Sequence, residues 1–500
     1  MSLFRTKPLE KLLAQAADHA GLKRTLGWPG LVALGIGAII GAGLFVRTAA
    51  AAAESAGSGV TGSFIIAAIG CLFAGLCYAE FAAMIPIAGS AYTYAYVTMG
   101  ELVAWIIGWA LILEYALGAA TVSIAWSEYL NRLFPTLVPW EWRHSPLQAC
   151  DAGLHDCLAG ARGIVNGPAI FILLILTLLL VKGTSESAKV NAIIVTIKVA
   201  IVLVFVAVGW KFISPANHTP FLIPDNFDAD HAGIFKHGLG GILGGAGIVF
   251  FAFIGFDAVS TAAQETKNPG RDMPRGIMGS LAVCTVLYIL FSYVLTGVAP
   301  WRDFLKVGKE ASVVYAIDTY MKMPLLGTAV TVAILLGFSS VILVMLLGQS
   351  RVFYTMANDG LLPKVFAVLH PKFRTPYKCN MILFVFVALL GGFLPGDITG
   401  DLTSVGTLFA FVLVCIGIMI MRKTNPNANR PFRTPFVPVV PILGILVCGA
   451  MIGSRDPTTQ VAALSWMLVG LVVYFLYARH NSKLSGPEPA VGAAQAPEAA

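Results

Sequence analysis

Charged residues are scarce in this chain of 500 residues. Asp, Glu, Lys and Arg make up 12% of the sequence, whereas an average soluble domain carries about 25%. Hydrophobic residues make up 57%, and the mean hydropathy is +0.80. This composition excludes a string of soluble domains and predicts an all-α protein that crosses a lipid bilayer many times. In such a protein the net charge of +7 follows membrane topology, so nucleic acid is not an expected partner.

Several chemical signatures are missing as well. The eight cysteines show no CxxC or Cys/His spacing typical of a metal site, and the glycine-rich stretches do not follow GxGxxG. Carboxylates at membrane depth are scattered, which disfavours a membrane enzyme, and they form no continuous polar lining of the kind a channel needs. We expect no enzymatic activity, no metal and no organic cofactor. We also expect no cleavable signal peptide, because the first 24 residues are polar and the apolar run after them is too long.

Twelve apolar runs are long enough to be membrane spans, since about 20 residues cross a bilayer. They cover roughly 31–50, 62–85, 101–130, 164–181, 190–210, 239–263, 276–299, 324–348, 379–394, 402–421, 434–453 and 459–478. Residues 1–30 include an amphipathic segment, Leu9 to Ala20, that suits the cytoplasmic membrane surface. Residues 480–500, rich in Ala, Pro and Gly, are expected to be a disordered cytoplasmic tail.

The distribution of positive charge predicts the orientation. If the runs alternate in direction, roughly two-thirds of the 33 Lys and Arg residues fall on the side of the N-terminus. Both termini are therefore predicted to be cytoplasmic, in the plasma (inner) membrane if the host is a bacterium. The loop 131–163 is then external, where Cys150 and Cys157 are expected to form a local disulfide; two free thiols are the alternative.

Glycine is concentrated in the first and sixth runs. The first contains GIGAIIGAGLF from Gly35 to Phe45, and the sixth begins GLGGILGGAGIVFFAFIGFDAVS at Gly238. These runs hold matching positions in two five-run halves, 31–210 and 239–421, with 434–478 outside the repeat. A pair of glycine-broken spans in matching places indicates a transporter site between inverted repeats. The alternative is a close helix contact, since small residues line membrane interfaces in general.

Three ionisable residues stand out within the runs, where charge is costly and usually functional. Lys198 is too far from either end of the fifth run to reach water easily, so its ammonium must find carbonyl partners or lose its proton. We predict a proton carrier or a fixed cation in the place of a metal ion; a structural lysine is the alternative. Glu114 would contact a cation, a broken helix end or a substrate amine. Asp257 would cap the second half of the sixth run or, as a minority alternative, bind a cationic substrate.

Four motifs in this order resemble the cationic amino acid transporter family of the amino acid–polyamine–organocation superfamily. They are GIGAIIGAGLFV, YAEFAAMIPIAGSAYTYAYVTMGE, FFAFIGFDAVSTAAQETKNPGRDMPRGI and GQSRVFYTMANDGLLP, beginning at Gly35, Tyr78, Phe250 and Gly348. The resemblance covers about residues 22 to 480. It implies the leucine-transporter fold, with two inverted five-helix repeats, two extra helices, and spans one and six unwound at mid-membrane.

The resemblance also implies a binding site for an amino acid. The substrate carboxylate would meet the backbone amides of the first break, and its ammonium would meet carbonyls of both breaks. The implied substrate-binding residues are Ile39, Gly41, Ala42, Gly43, Phe251, Ala252, Phe253, Ile254 and Phe338. Lys198 matches a lysine that occupies a sodium site in proton-coupled relatives, so its titration would couple protons to transport.

Two residues depart from the pattern of the family, and the second bears on the side chain of the substrate. Ala42 offers no hydroxyl to the carboxylate, and the ring of Phe338 is expected to shorten the side-chain pocket. Small neutral amino acids are therefore at least as favoured as cationic ones. The resulting hypothesis is a proton-coupled importer that works by alternating access, with the bilayer, an amino acid and a proton as its partners. An exchanger without proton coupling and a non-transporting sensor are the alternatives, and a small membrane subunit or bound lipid is left open.

Overall fold

The structure is a computed structural model. It describes residues 4–8, 24, 26–87, 89–150, 160–183, 187–225, 231, 233–306 and 312–484. The amphipathic segment Leu9 to Ala20, Cys157 and the tail beyond residue 484 lie outside the described residues.

Helices account for nearly all regular structure in the described chain, which contains no β-strand and only isolated bridges such as Leu26 with Thr266. The principal helices are α1 (Trp28–Ile39), α2 (Val60–Met84), α3 (Ser90–Thr98), α4 (Glu101–Leu133), α5 (Gly167–Lys182), α6 (Ser187–Gly209), α7 (Gly238–Val249), α8 (Pro269–Val298), α9 (Pro324–Asn358), α10 (Tyr377–Phe393), α11 (Gly396–Thr424), α12 (Val439–Gly453) and α13 (Pro457–Val473). The all-helical, multi-pass prediction is confirmed.

Eight helical stretches in the described chain are long and apolar enough to cross a membrane, and four shorter apolar helices accompany them. One of the eight, Gly43–Met84, joins parts of two predicted runs. Helical geometry resumes at Gly43 and passes through an alanine-rich segment into α2, because alanine favours helix even at the predicted boundary. The count of twelve spans and the division into inverted repeats remain predictions.

The interior is organised around two long helices. Helix α4 packs against α9 and α11, while α8 packs against α1 and α2. Trp105, Tyr115 and Tyr129 of α4 are fully buried. Peripheral helices instead expose apolar side chains, including Phe171 of α5 and Leu468 of α13. An apolar exterior around a packed interior is what a protein solvated by lipid requires.

The aromatic segment SAYTYAY forms α3 and is buried throughout. Its Tyr94 ring stacks on Phe81 with centroids 5.0 Å apart. Nearby, Glu80 accepts hydrogen bonds from Arg422 Nε at 2.8 Å and Nη2 at 2.7 Å, and from the Thr434 amide at 2.7 Å. These contacts give Glu80 a structural role on the side of the protein that is predicted to face the cytoplasm.

Most cysteines in the described part of the chain are free thiols. Six cysteines are free and buried within helices, where they fill the interior. Cys150 is disulfide-bonded. Its predicted partner, Cys157, lies outside the described residues, so that pairing stays a prediction.

Candidate functional site

The first glycine-rich run is interrupted at membrane depth. Helix α1 ends at Ile39, and Ile40 adopts extended geometry with φ −72° and ψ 105°. A π-helical turn then begins at Gly43. The glycine pattern predicts a break centred on Gly41 to Gly43. The structure places the break two to three residues earlier, and Gly41 and Gly43 follow it in the chain. The first amides of the resumed helix have no acceptor within that helix and can bind an anion.

The sixth run is interrupted over a longer stretch. Helix α7 ends at Val249, and a 3₁₀ segment, Phe250–Phe253, leads into a turn before the next 3₁₀ helix at Asp257. Gly255 in that turn has φ +112°, a conformation that side chains other than glycine's rarely adopt. The carbonyl oxygen of Ala38 would lie 2.9 Å from a Cβ placed on Gly255.

The two interruptions meet backbone to backbone. A Cβ on Gly43 would lie 2.1 Å from the Cα of Ala252, so no larger residue fits without separating the two segments. The Tyr288 hydroxyl lies 3.0 Å from the carbonyl oxygen of Ile39 and 2.9 Å from that of Ala252. One α8 side chain therefore bridges the two breaks. Gly43 is predicted to bind the substrate carboxylate, and in the structure it also lies where the two interrupted segments are in close contact.

Lys198 binds the end of α1. Its side chain is 1% exposed, and Nζ donates to the carbonyl oxygens of Gly37 at 2.8 Å and Ile40 at 3.0 Å. No carboxylate among the described residues forms an ion pair with it. Gly337 of α9 makes room for the chain, because a Cβ there would lie 2.9 Å from Lys198 Cε. The ammonium thus holds two carbonyls freed by the helix break, the kind of ligand that a bound metal cation would use.

A closed cavity of about 10 Å³ lies between the interruptions, with space for about one water molecule. Its wall is formed by Ala38, Ile39, Gly41, Ala42, Gly43, Gly118, Val122, Phe251, Ile254, Val341 and Met345. Six of the predicted substrate-binding residues are therefore brought together here. The wall, as formed by described residues, carries no charged side chain.

Three predicted binding residues lie behind this wall. Ala252 approaches Gly43 through its backbone, and Phe253 packs against the rings of Phe64 and Tyr288. Phe338 packs against Phe45 and Tyr129.

The α9 residues that do line the cavity lie further along the helix from Phe338. Val341 and Met345 follow it by three and seven positions, on the same helical face. Phe338 therefore lies on the same face of α9 as the residues that line the cavity, about one turn away from the nearest of them.

Two carboxyl groups of the predicted site, Asp257 and Glu114, are fully buried. The Asp257 Oδ2 accepts a hydrogen bond from the Tyr115 hydroxyl at 2.9 Å, and the carboxyl group also interacts with the backbone at Gly255 and Ala258. The predicted capping role of Asp257 stays a prediction. Glu114 is fully buried, and among the described residues neither of its oxygens has a hydrogen-bond partner. It interacts electrostatically with Asp257.

Sequence reasoning missed a buried ionic cluster. Asp401 of α11 accepts hydrogen bonds from Arg47 and, at 2.7 Å, from Arg455, and Arg455 also donates to the carbonyl oxygen of Gly244 at 3.3 Å. Both arginines are buried, at 3% and 5% exposed. A signal was present, because Arg47 lies inside the predicted span 31–50. Asp401 and Arg422, which binds Glu80, lie near opposite ends of α11, so the cluster and the Glu80 contacts lie toward opposite ends of that helix.

The fold and the site together define a class: a multi-pass helical membrane protein with a closed cavity where two interrupted helices meet. Sequence comparison then gives the family. A family model described as amino acid permease matches residues 26–478. The chain is 43% identical to a branched-chain amino acid permease, BcaP, of Bacillus subtilis (strain 168), over 97% of this chain and 99% of that protein.

Two further relatives carry other names. A methylthioribose transporter of the same organism is 41% identical, again over 97% of this chain and 99% of that protein. Cationic amino acid transporter 4, vacuolar, of Arabidopsis thaliana is 33% identical over 85% of this chain and 68% of that protein. The chain belongs to the amino acid permease family, and its resemblance to the amino acid–polyamine–organocation superfamily is confirmed.

Proposed function

We propose that the protein is a secondary active importer that carries amino acids across the plasma membrane together with protons. The single observation that carries the proposal is the meeting of two interrupted helices, with Lys198 on the carbonyls of one of them. Unpaired backbone groups are costly in a membrane unless they serve a ligand or a cavity. The arrangement supplies amides for a carboxylate and carbonyls for an ammonium within one small space.

Lys198 is the proposed coupling residue. Its ammonium is held by neutral carbonyls alone, so deprotonation would leave no unpaired carboxylate beside it. Loss of the proton would weaken the tie between α6 and the end of α1. Gain and loss of this proton would therefore bias the position of the first interrupted helix.

The proposed substrates are neutral amino acids with aliphatic side chains. Gly118, Val122, Val341 and Met345 give the cavity an apolar wall without a carboxylate for a cationic side chain. The relative with 43% identity is named for branched-chain amino acids. A cationic substrate would bury its charge without a partner at this wall, which is energetically costly.

The small size of the cavity supports alternating access. A volume of about 10 Å³ is too small for any amino acid, so the interrupted segments must separate to admit one. The Arg47–Asp401–Arg455 cluster and the Glu80 contacts lie on opposite sides and would close the two routes in turn. Within this proposal the protein has twelve spans, inverted repeats at 31–210 and 239–421, and cytoplasmic termini.

Uptake into liposomes tests this function. Purified protein would be reconstituted with an imposed inward proton gradient and no sodium, and radiolabelled leucine, alanine and arginine would be followed. We expect leucine and alanine to accumulate, accumulation to collapse with a protonophore, and arginine to stay near background. Preferential accumulation of arginine would overturn the substrate assignment.

Two other results would reject proton coupling. If preloaded vesicles exchange internal amino acid for external labelled amino acid but a proton gradient drives no accumulation, the protein is an exchanger and Lys198 is structural. If amino acids bind and nothing moves, the protein is a sensor with the transporter fold.

A further inference from the structure

A second and larger cavity lies at the first turns of α8 and shares no lining residue with the substrate cavity. Its volume is about 750 Å³, within the range of small-molecule sites. Four basic residues line it: Arg24, Lys267, Arg271 and Arg275. The rest of the wall is largely apolar and includes Met278 and Phe432. Nothing in the proposed transport cycle uses this cavity.

The four cations are not neutralised by the described part of the chain. None of them forms an ion pair with a described carboxylate. Two acidic residues lie nearest in sequence. Glu265 pairs with Arg351 at 3.4 Å, and Asp272 is buried. The start of the 30-residue helix α8 adds the partial positive charge of its free amides. The cavity is therefore a concave region of positive potential that fits a phosphate group.

The depth of the cavity points to a lipid phosphate. Arg271 and Arg275 lie in the first two turns of a membrane-spanning helix. A helix of 30 residues is about 45 Å long, so its end turns lie at the level of the lipid headgroups rather than in the hydrocarbon. Basic pockets between membrane helices at this level are suited to anionic headgroups.

The same helix also offers a path for acyl chains. Counting from Arg275, residues eight, eleven and eighteen positions further share its helical face. These are Val283, Val286 and Tyr293, which are 40%, 57% and 36% exposed. An apolar exposed stripe thus runs from the basic cavity toward the middle of the bilayer. A free phosphate ion would make no use of this stripe, whereas a phospholipid would cover it.

We propose that this cavity is a binding site for the phosphate headgroup of an anionic glycerophospholipid, with Arg271 and Arg275 as its principal contacts. The positive-inside rule alone explains why cations lie on this side, but not why four of them surround one cavity without carboxylate partners. The site is independent of amino acid transport, so a failure of the transport proposal leaves it standing.

Native mass spectrometry of the purified, delipidated protein tests the proposal. The protein would be titrated with phosphatidylglycerol and, separately, with phosphatidylcholine of the same acyl chains. We expect selective binding of phosphatidylglycerol, and roughly 30-fold weaker binding by an Arg271→Gln/Arg275→Gln variant, from the loss of two surface charges. Arg271→Lys/Arg275→Lys, which keeps both charges, should bind within about threefold of the unchanged protein.

A Lys364→Gln/Lys372→Gln variant is the matched control, because it removes two exposed charges from the same predicted face outside the cavity. It should bind like the unchanged protein. Unaltered affinity of the Arg271→Gln/Arg275→Gln variant, or equal binding of the two lipids, would overturn the site. Displacement of phosphatidylglycerol by millimolar inorganic phosphate would assign the cavity to a soluble anion and overturn the lipid proposal.

Discussion

The two interrupted helices are built differently. The first loses helical geometry over a short stretch that begins at Ile40, and the carbonyl oxygens of Gly37 and Ile40 are bound by the ammonium of Lys198. The sixth is irregular over a longer stretch around Gly255, and the carboxyl group of Asp257 lies at the start of the segment that follows. One break is therefore held by a cation and the other lies beside an anion.

Under the proposed mechanism, this difference separates a break that responds to protons from one that is anchored. The lysine ammonium is bound to neutral groups only, so its proton can leave without exposing an opposite charge. The Asp257 carboxylate accepts a hydrogen bond from Tyr115, a neutral donor on the long helix α4. We expect the first break to change during coupling and the sixth to serve as the fixed reference.

The largest effect is expected where the two breaks touch. In Gly43→Ala the new Cβ would lie 2.1 Å from the Ala252 Cα. This atom belongs to the backbone, so no side-chain rotation can relieve the clash. The segments must then separate, and amino acid affinity should fall roughly 100-fold or more. Gly449→Ala in α12 is the matched control, because a Cβ there would meet no atom within 4 Å, so the affinity should not change. Calorimetric Kd values for leucine would measure both, and an unchanged Kd for Gly43→Ala would remove the contact from the site.

Lys198→Met tests the cationic break alone. The variant keeps the side-chain length but has no titrating group, so gradient-driven accumulation should vanish while leucine exchange continues. Lys211→Met makes the same change at an exposed position just beyond α6 and should leave accumulation intact. Parallel uptake and counterflow assays in liposomes would distinguish these outcomes. If Lys198→Met accumulates leucine at the normal level, another group must couple protons to transport, and Glu114 is the next candidate.

Tyr115→Phe tests the anchored break. It removes the 2.9 Å hydrogen bond to Asp257 and leaves a buried carboxylate without that donor. A hydrogen bond to a charged group contributes about 1.5–3 kcal/mol, so the melting temperature should fall while proton coupling is retained. Tyr354→Phe, at a half-buried tyrosine without a hydrogen bond among the described residues, should have little effect. Loss of coupling in Tyr115→Phe with unchanged stability would contradict the division of roles.

The smallest effect is expected at the shared bridge. Tyr288→Phe keeps the ring but removes the hydroxyl that lies on the carbonyls of Ile39 and Ala252. The expected loss is about 1–2 kcal/mol of stability, since a typical buried hydrogen bond contributes about 1 kcal/mol. A double-mutant cycle with Lys198→Met would measure whether the two side chains act on one element. Strict additivity would show that the two breaks are held independently.

Much of the fold was predictable because it depends on local properties. Low charge and long apolar runs predicted a multi-pass helical protein, and glycine content placed both interruptions to within a few residues. The position of Lys198 in the middle of an apolar run predicted carbonyl partners. The side-chain pocket was less accessible to such reasoning, since Val341 and Met345 line it where Phe338 was expected. Which turn of a helix reaches a cavity is decided by how the helix packs against its neighbours, not by its own residues.

What the sequence by itself determined was the class of protein, the two helix breaks and the presence of an unusual lysine at membrane depth. These features follow from the cost of polar groups in lipid, which acts on each segment separately. The tertiary structure alone decided which side chains bind the polar backbone groups at the breaks and the other buried charges. Tyr288 reaches Ile39 across 249 positions and Arg47 reaches Asp401 across 354. Such pairings form when helices distant in the chain pack side by side, and no spacing within one segment encodes them.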